Sequence, residues 1–181
     1  YPKRPFVITR SAYAGAQRYS SSWTGDNVAS WEHLWIANIQ MQRMSISGMG
    51  FTGSDIGGFA EQPSGELYAR WIQLGVFHPF CRTHSSGDHG DQEPWAFDEE
   101  VTNIIRKFVN LRYQLLPYLY TMFWQYIEQG IPMLKPLVYY DQDDIQTHYR
   151  NDEFIFGNQI LVCPILEPNA QGRRMYLPVG N

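Results

Sequence analysis

Residues 23–59 read WTGDNVASWEHLWIANIQMQRMSISGMGFTGSDIGGF, and this stretch decides the architecture. Its centre is helical. Ser30 is a residue type that caps helices, and Trp31, Leu34, Trp35 and Ile39 recur at the spacing of one helical face until Gly48 and Gly50 stop the pattern. On either side lie polar, Gly-containing segments. Trp23-Thr24-Gly25-Asp26-Asn27 precedes the helix as a strand-to-helix loop. Phe51 to Phe59 follows it, too rich in Gly for an ordinary strand and read as a strand end opening into a loop. Working outward, residues 4–10 (RPFVITR) form a short run with β-branched residues that predicts a buried strand. Downstream, Ser64 caps a predicted second helix to about Leu74, residues 78–84 (HPFCRTH) are short and extended, and a polar loop, SSGDHGDQEPW, follows. Strands alternating with helices argue for a parallel α/β sheet or barrel. In a (β/α) barrel the segments just after the strands are the loops at the catalytic end.

From Asp98 to Gln129 the apolar residues Val101, Ile104, Ile105, Phe108, Leu115, Leu119, Met122, Phe123 and Tyr126 keep helical spacing, and Gly130 ends the run. Pro117 sits inside it and predicts a kink. Beyond Gly130 the pattern changes to β-type runs over 132–140, 153–156, 159–166 and 173–178, separated by Asp, Asn, Gly and Pro turns. A domain boundary is expected near residue 131. No internal repeat or low-complexity segment is visible.

Composition bounds the function. The 181 residues are 44% apolar, 15% aromatic and 18% charged, which excludes a disordered chain. A net charge of −4 without any Lys/Arg cluster argues against a nucleic-acid partner. No apolar run is long enough to span a membrane, and no signal peptide is visible at the start. Two cysteines, Cys81 and Cys163, are too few for a disulfide framework and fix no compartment.

Three short sequences carry candidate chemistry. In Trp23–Asn27, Asp26 either caps the helix through an Asx turn or serves as a catalytic acid/base with an aromatic floor beside it. In Gly53-Ser54-Asp55-Ile56-Gly57-Gly58-Phe59, adjacent glycines and a carboxylate suit either a structural turn or a backbone closely approached by a ligand. After Cys81-Arg82-Thr83-His84 come Asp88, His89 and Asp91, a density of ligands that fits neither a structural zinc nor a calcium-loop template. A hydrogen-bonding loop is the better reading, and no metal or cofactor is expected. Of the tryptophans, Trp31, Trp35 and Trp71 read as core.

Taken together, Trp23-x-Gly-Asp26-Asn, Gly53-x-Asp55-Ile-Gly-Gly-Phe59 and Phe80-x-Arg82-x-His84, in this order and each at a strand end, resemble the α-glucosidase-type glycoside hydrolases of family 31. The resemblance covers nearly the whole chain. It implies an α/β fold: residues 1–130 as the second part of a (β/α)8 barrel, and 131–181 as the beginning of an all-β sandwich. It also implies site residues. Asp26 resembles the general acid/base, and Arg10 the arginine that binds sugar hydroxyls beside it. Trp23 and Phe59 resemble the aromatic lining of the non-reducing-sugar subsite. Asp55 resembles a carboxylate that either contacts the sugar or supports the residues that do, His84 a histidine that hydrogen-bonds a sugar hydroxyl, and Arg82 a residue that orients the carboxylates. The activity implied is retaining, exo-acting hydrolysis of terminal α-linked glucose from oligosaccharides. Related α-xylosidase, transglucosidase or α-glucan lyase activities share the same loop.

One element of the family pattern is missing. The family's nucleophile lies in a motif of the type W-x-D-M-N-E, and no such sequence occurs in the 181 residues. A retaining glycosidase needs two carboxylates about 5–5.5 Å apart. The expectation is therefore that the chain is one portion of a larger enzyme, dependent on an upstream part of the barrel. As an isolated chain it would be an inactive carbohydrate-binding piece.

Overall fold

Three short strands, β1 (Ile8–Thr9), β2 (Ser21–Trp23) and β3 (Thr52–Gly53), lie parallel in that order, with Ile8 opposite Ser21 and Ser22 opposite Thr52. A second parallel pair, β4 (Asp55–Ile56) and β5 (Arg82–Thr83), begins just past Ser54. The computed structural model describes residues 5–178; Arg4, the first residue of the predicted opening strand, lies outside them. Parallel neighbours require crossover connections; a loop with a short 3-10 turn (Ala16–Arg18) joins β1 to β2, and helices supply two others. Helix α1 (Trp31–Ile46) joins β2 to β3, and α2 (Gly65–Gly75) joins β4 to β5. Both start at the predicted caps: Ser30 Oγ accepts from the His33 N–H at 3.2 Å, and Ser64 Oγ from the Leu67 N–H at 3.2 Å. Trp71, Tyr68, Leu34, Met41 and Ile56 are fully buried between helices and strands.

The buried face of α1 differs from the expectation. It comprises Leu34, Ala37, Asn38, Met41, Gln42 and Ser45, whereas Trp35 is 38% exposed and is not a core residue. The physical reason is that α1 packs on two neighbours, one of them through hydrogen bonds. Asn38 Nδ2 and Gln42 Nε2 donate to the Asn151 carbonyl at 2.6 and 3.2 Å, and Ser45 Oγ accepts from the Leu134 N–H at 2.9 Å. Polar side chains that find partners are buried without leaving an apolar stripe.

The predicted kinked helix over 98–129 is two helices, α3 (Glu99–Gln114) and α4 (Leu116–Gln129). Pro117 lacks an N–H and fits the first turn of a new helix, where none is needed, better than the interior of an old one. Asp98 caps α3 by accepting from the Val101 N–H at 2.8 Å, and Gly130, at φ 69°, ends α4 in the left-handed conformation.

Past Gly130 the strands turn antiparallel: β6 (Leu134–Pro136), β7 (Phe154–Phe156) and β8 (Ile160–Val162). The run over 132–140 is a strand only to Pro136, then a single helical turn, α5 (Leu137–Tyr140). β8 is likewise shorter than predicted and ends before Pro164. Proline cannot donate to a ladder, which ends both early. Residues 173–178 form no strand. Side chains hold them instead: Arg173 pairs with Asp152, and the Tyr176 N–H donates to both carboxylate oxygens of the buried Glu153, at 3.0 and 3.2 Å. Phe154 and Phe156 of β7 belong to the same core cluster as Leu34 and Trp71.

Candidate active site

The site is built on the C-terminal ends of the parallel strands. After β2 the Thr24 N–H donates to the Gly53 carbonyl at 3.1 Å, and Thr24 Oγ1 bonds Asn27 Oδ1 at 2.6 Å. Gly25, between them, has φ 82°, and a Cβ placed there would meet the Arg10 guanidinium at 3.7 Å. The Asn27 carbonyl accepts from both the Phe59 and Ala60 N–H groups, at 2.6 and 3.1 Å, and the Val28 N–H donates to His33 Nδ1 at 3.1 Å. Asp26 thus sits on a loop held on both sides of it by these hydrogen bonds. Its Oδ2 lies 3.0 Å from Arg10 Nη2, with the two side chains 39% and 61% exposed, so the pair faces open space.

A second pair lies deeper. Arg82 Nη2 meets Asp55 Oδ1 at 3.0 Å, and Asp55 is fully buried. Burial pushes the Asp55 carboxyl above its ordinary range, and the positive charges of Arg82 and His84 oppose that rise only in part. The Arg82 guanidinium lies 5.0 Å from the centre of the Trp23 ring and 5.3 Å from that of Phe80. Asp55 Oδ2, Arg82 Nε and Trp23 Nε1 are buried without a hydrogen-bond partner among the described residues. Three such groups so close together are unusual in a protein interior.

Phe59 and His84 make the third contact, with ring centres 5.2 Å apart and planes at 37°. Phe59 is placed by the Gly57–Gly58 pair, at φ 90° and 93°, and a Cβ on Gly58 would lie 2.5 Å from the Ala29 nitrogen. Gln92 closes this loop from behind by donating to the Gly58 carbonyl at 3.0 Å, and its own carbonyl accepts from the Tyr68 hydroxyl at 2.7 Å. Within the following polar loop, Gln62 donates to the Asp91 carbonyl and the Asp88 N–H to Ser86 Oγ. Among the described residues no three His, Cys, Asp or Glu side chains converge as metal ligands.

All seven predicted site residues thus stand at one end of the strands, as Arg10–Asp26, Asp55–Arg82–Trp23 and Phe59–His84. Sequence reading missed Asn27, Phe80 and Gln92. The first two lie inside the quoted motifs. Gln92, in a polar loop, left no signal.

Residues 1–122 match the glycosyl hydrolases family 31 TIM-barrel domain, and residues 130–181 the glycosyl hydrolase family 31 C-terminal domain. Alpha-glucosidase 2 of Bacillus thermoamyloliquefaciens is 45% identical over 99% of the chain, and human neutral alpha-glucosidase AB 40% identical over 97%. The chain spans 23% and 19% of those two relatives. Among solved structures, a glucosidase II alpha subunit superposes with a TM-score of 0.90 at 38% identity, covering 92% of this chain and 18% of that one. A dextranase of Flavobacterium johnsoniae gives 0.92 at 34% identity over 98% of this chain and 23% of its own. An alpha-xylosidase from a soil metagenome gives 0.90 at 30% over 97% and 29%.

Proposed function

On the footing that the chain belongs to glycosyl hydrolase family 31, we propose that it carries the acid/base side of a retaining, exo-acting α-glucosidase site. Asp26 protonates the leaving glycosidic oxygen, then takes a proton from the attacking water once the covalent intermediate has formed. Arg10 beside it and His84 opposite Phe59 bind sugar hydroxyls. Trp23 and Phe59 line the subsite for the terminal sugar. Asp55 offers its unpartnered Oδ2 to a hydroxyl while Arg82 orients the carboxylate through Oδ1.

The observation that carries this reading is the Asp26–Arg10 pair, 3.0 Å apart at open strand ends, near a buried carboxylate, Asp55, whose Oδ2 has no partner among the described residues. A neutral, hydroxyl-rich ligand asks for planar hydrogen-bonding groups and aromatic platforms, and both are gathered here. The attacking carboxylate, about 5–5.5 Å from the acid in such enzymes, comes in this reading from sequence other than these 181 residues. Residues 1–130 form the barrel portion, and 131–181 begin the β-sandwich.

The likeness to an alpha-xylosidase and a dextranase favours a second reading within the family, with another terminal sugar or another linkage. Transglucosidase and α-glucan lyase chemistry also fit the same acid/base loop. Product analysis on glucose- and xylose-terminated substrates separates these. The central test is Asp26→Asn in the complete enzyme. Turnover of maltose is expected to vanish, while glycosylation by an aryl α-glucoside with a good leaving group falls much less, because it needs little protonic help. Equal, small losses on both substrates would remove Asp26 from the role.

A further inference from the structure

Arg112 of α3 is none of the seven site residues, and both terminal nitrogens of its guanidinium go to one turn. Nη1 donates to the carbonyls of Val76 and His78 at 2.8 and 2.6 Å, and Nη2 to that of Pro79 at 2.8 Å. That turn links the end of α2 to β5, the strand that carries Arg82. Helix C-termini leave carbonyls without partners, and a cation there is favoured. Burying a charge is costly, however, and among the described residues no carboxylate pairs with Arg112.

The same turn is gripped from its other side. His78 is fully buried and its Nδ1 lies 3.4 Å from Ser54 Oγ, which also accepts from Trp71 Nε1 at 3.0 Å. Ser54 is the residue before Asp55. Two residues past His78, the Phe80 N–H donates to the Thr52 carbonyl at 2.9 Å, and the Phe80 oxygen occupies the space where a Cβ on Gly53 would sit, 1.8 Å away. The turn therefore has two attachments to residues 52–54, which lead into Asp55, and one outer clamp of three hydrogen bonds. A slip of the turn would move Arg82 along Asp55.

From this geometry we propose that Arg112 is a positioning residue: it holds the 76–80 turn so that Arg82 meets Asp55 in the sugar site. The proposal rests on the site reading given above, since it acts through Arg82. A hydrophobic side chain of similar length would fill the volume but could not fix three carbonyls at once. Lysine would keep the charge without the planar fork that reaches carbonyls on both terminal nitrogens.

The experiment uses the complete enzyme, with maltose and an aryl α-glucoside as substrates and D-glucose as competitive inhibitor. Arg112→Met, assayed well below its melting temperature, is expected to lower kcat/KM by about 10- to 100-fold and to weaken glucose inhibition, the loss that small misplacements cause. Arg112→Lys should show a smaller fall, on the order of threefold to tenfold, and decides the matter if the Met variant does not fold. Arg106→Met, on the exposed side of α3, should behave as wild type. In an Arg82→Met background, Arg112→Met should add little further loss, because both act on one contact. Wild-type kinetics in a folded Arg112 variant, or losses that multiply with those of Arg82→Met, overturn the proposal while leaving the site reading intact. Unchanged kinetics in Arg82→Met alone overturn the site reading at Arg82 and the positioning role with it.

Discussion

Asp55 shows how one residue can be bad for the fold and good for the site. Its carboxyl is raised by burial, so the folded protein holds this proton more tightly than the unfolded chain does. The contribution to stability is therefore full below the ordinary aspartate pKa and is lost as pH rises through the raised folded value. Asp55→Asn removes that term. Denaturation of the two proteins from pH 3 to pH 7 should show wild type losing ground to the variant as pH rises, while the variant binds glucose more weakly. If wild type instead gained on the variant, the Arg82 pair would outweigh desolvation. For the exposed groups the expectation is simpler. In the proposed reading, Arg10→Ala and His84→Ala each leave a sugar hydroxyl without its partner, an expected cost of roughly 1–3 kcal/mol in kcat/KM, and normal kinetics in a folded variant would remove that residue from the site. The motifs that hold Trp23, Asp26, Asp55, Phe59, Arg82 and His84 could be picked out in the sequence as short runs of Gly, aromatic and charged residues, whereas Arg10 stands outside them at the end of the first strand. Arg112 carried no such signal: in sequence it is an ordinary arginine on a helix, and only the turn it reaches, more than thirty positions earlier, gives it a task.

At the scale of elements, the loops after β2 and β4 behave as one. The Asn27 carbonyl takes both the Phe59 and Ala60 N–H groups, and Gly58 lies so near Ala29 that a Cβ there would be 2.5 Å from the Ala29 nitrogen. Gly58→Ala combines a left-handed φ with a backbone clash, so it should cost at least about 2 kcal/mol and impair the Asp26 loop along with Phe59. Gly87→Ala has a similar φ, 81°, but nothing within 4 Å, and should cost only about 1 kcal/mol with activity unchanged. Thermal unfolding and kcat/KM of both variants check this, and comparable behaviour of the two would show the Gly58 contact to be soft. The order of strands and helices was readable from caps and periodicity, because Ser30, Ser64 and Gly130 act locally. What α1 buries was not. Asn38, Gln42 and Ser45 look like surface residues until the Asn151 and Leu134 backbones arrive from more than eighty positions away.

At the scale of the whole molecule, two groups of exposed large apolar side chains among the described residues bear on association. Phe6, Val7 and Tyr19 lie around β1, and Tyr113, Leu116, Tyr120, Trp124 and Ile127 run along one side of α3 and α4. Such surface favours association. On the proposed reading, the 181-residue chain produced alone should self-associate in sedimentation velocity and show no activity on maltose, and a form extended upstream to a whole barrel should be active; a monomeric, active short chain would place the nucleophile within it. The polar contacts of α1 have a further consequence. The helix belongs to the parallel half of the molecule by connection and to the antiparallel half by hydrogen bonding, so neither half is a self-sufficient cassette. In a chimera joined between residues 123 and 129, the incoming C-terminal half would have to present its backbone to Asn38, Gln42 and Ser45. Recombination among relatives should therefore succeed where those three positions are exchanged together with everything after residue 130, and fail where the crossover separates them.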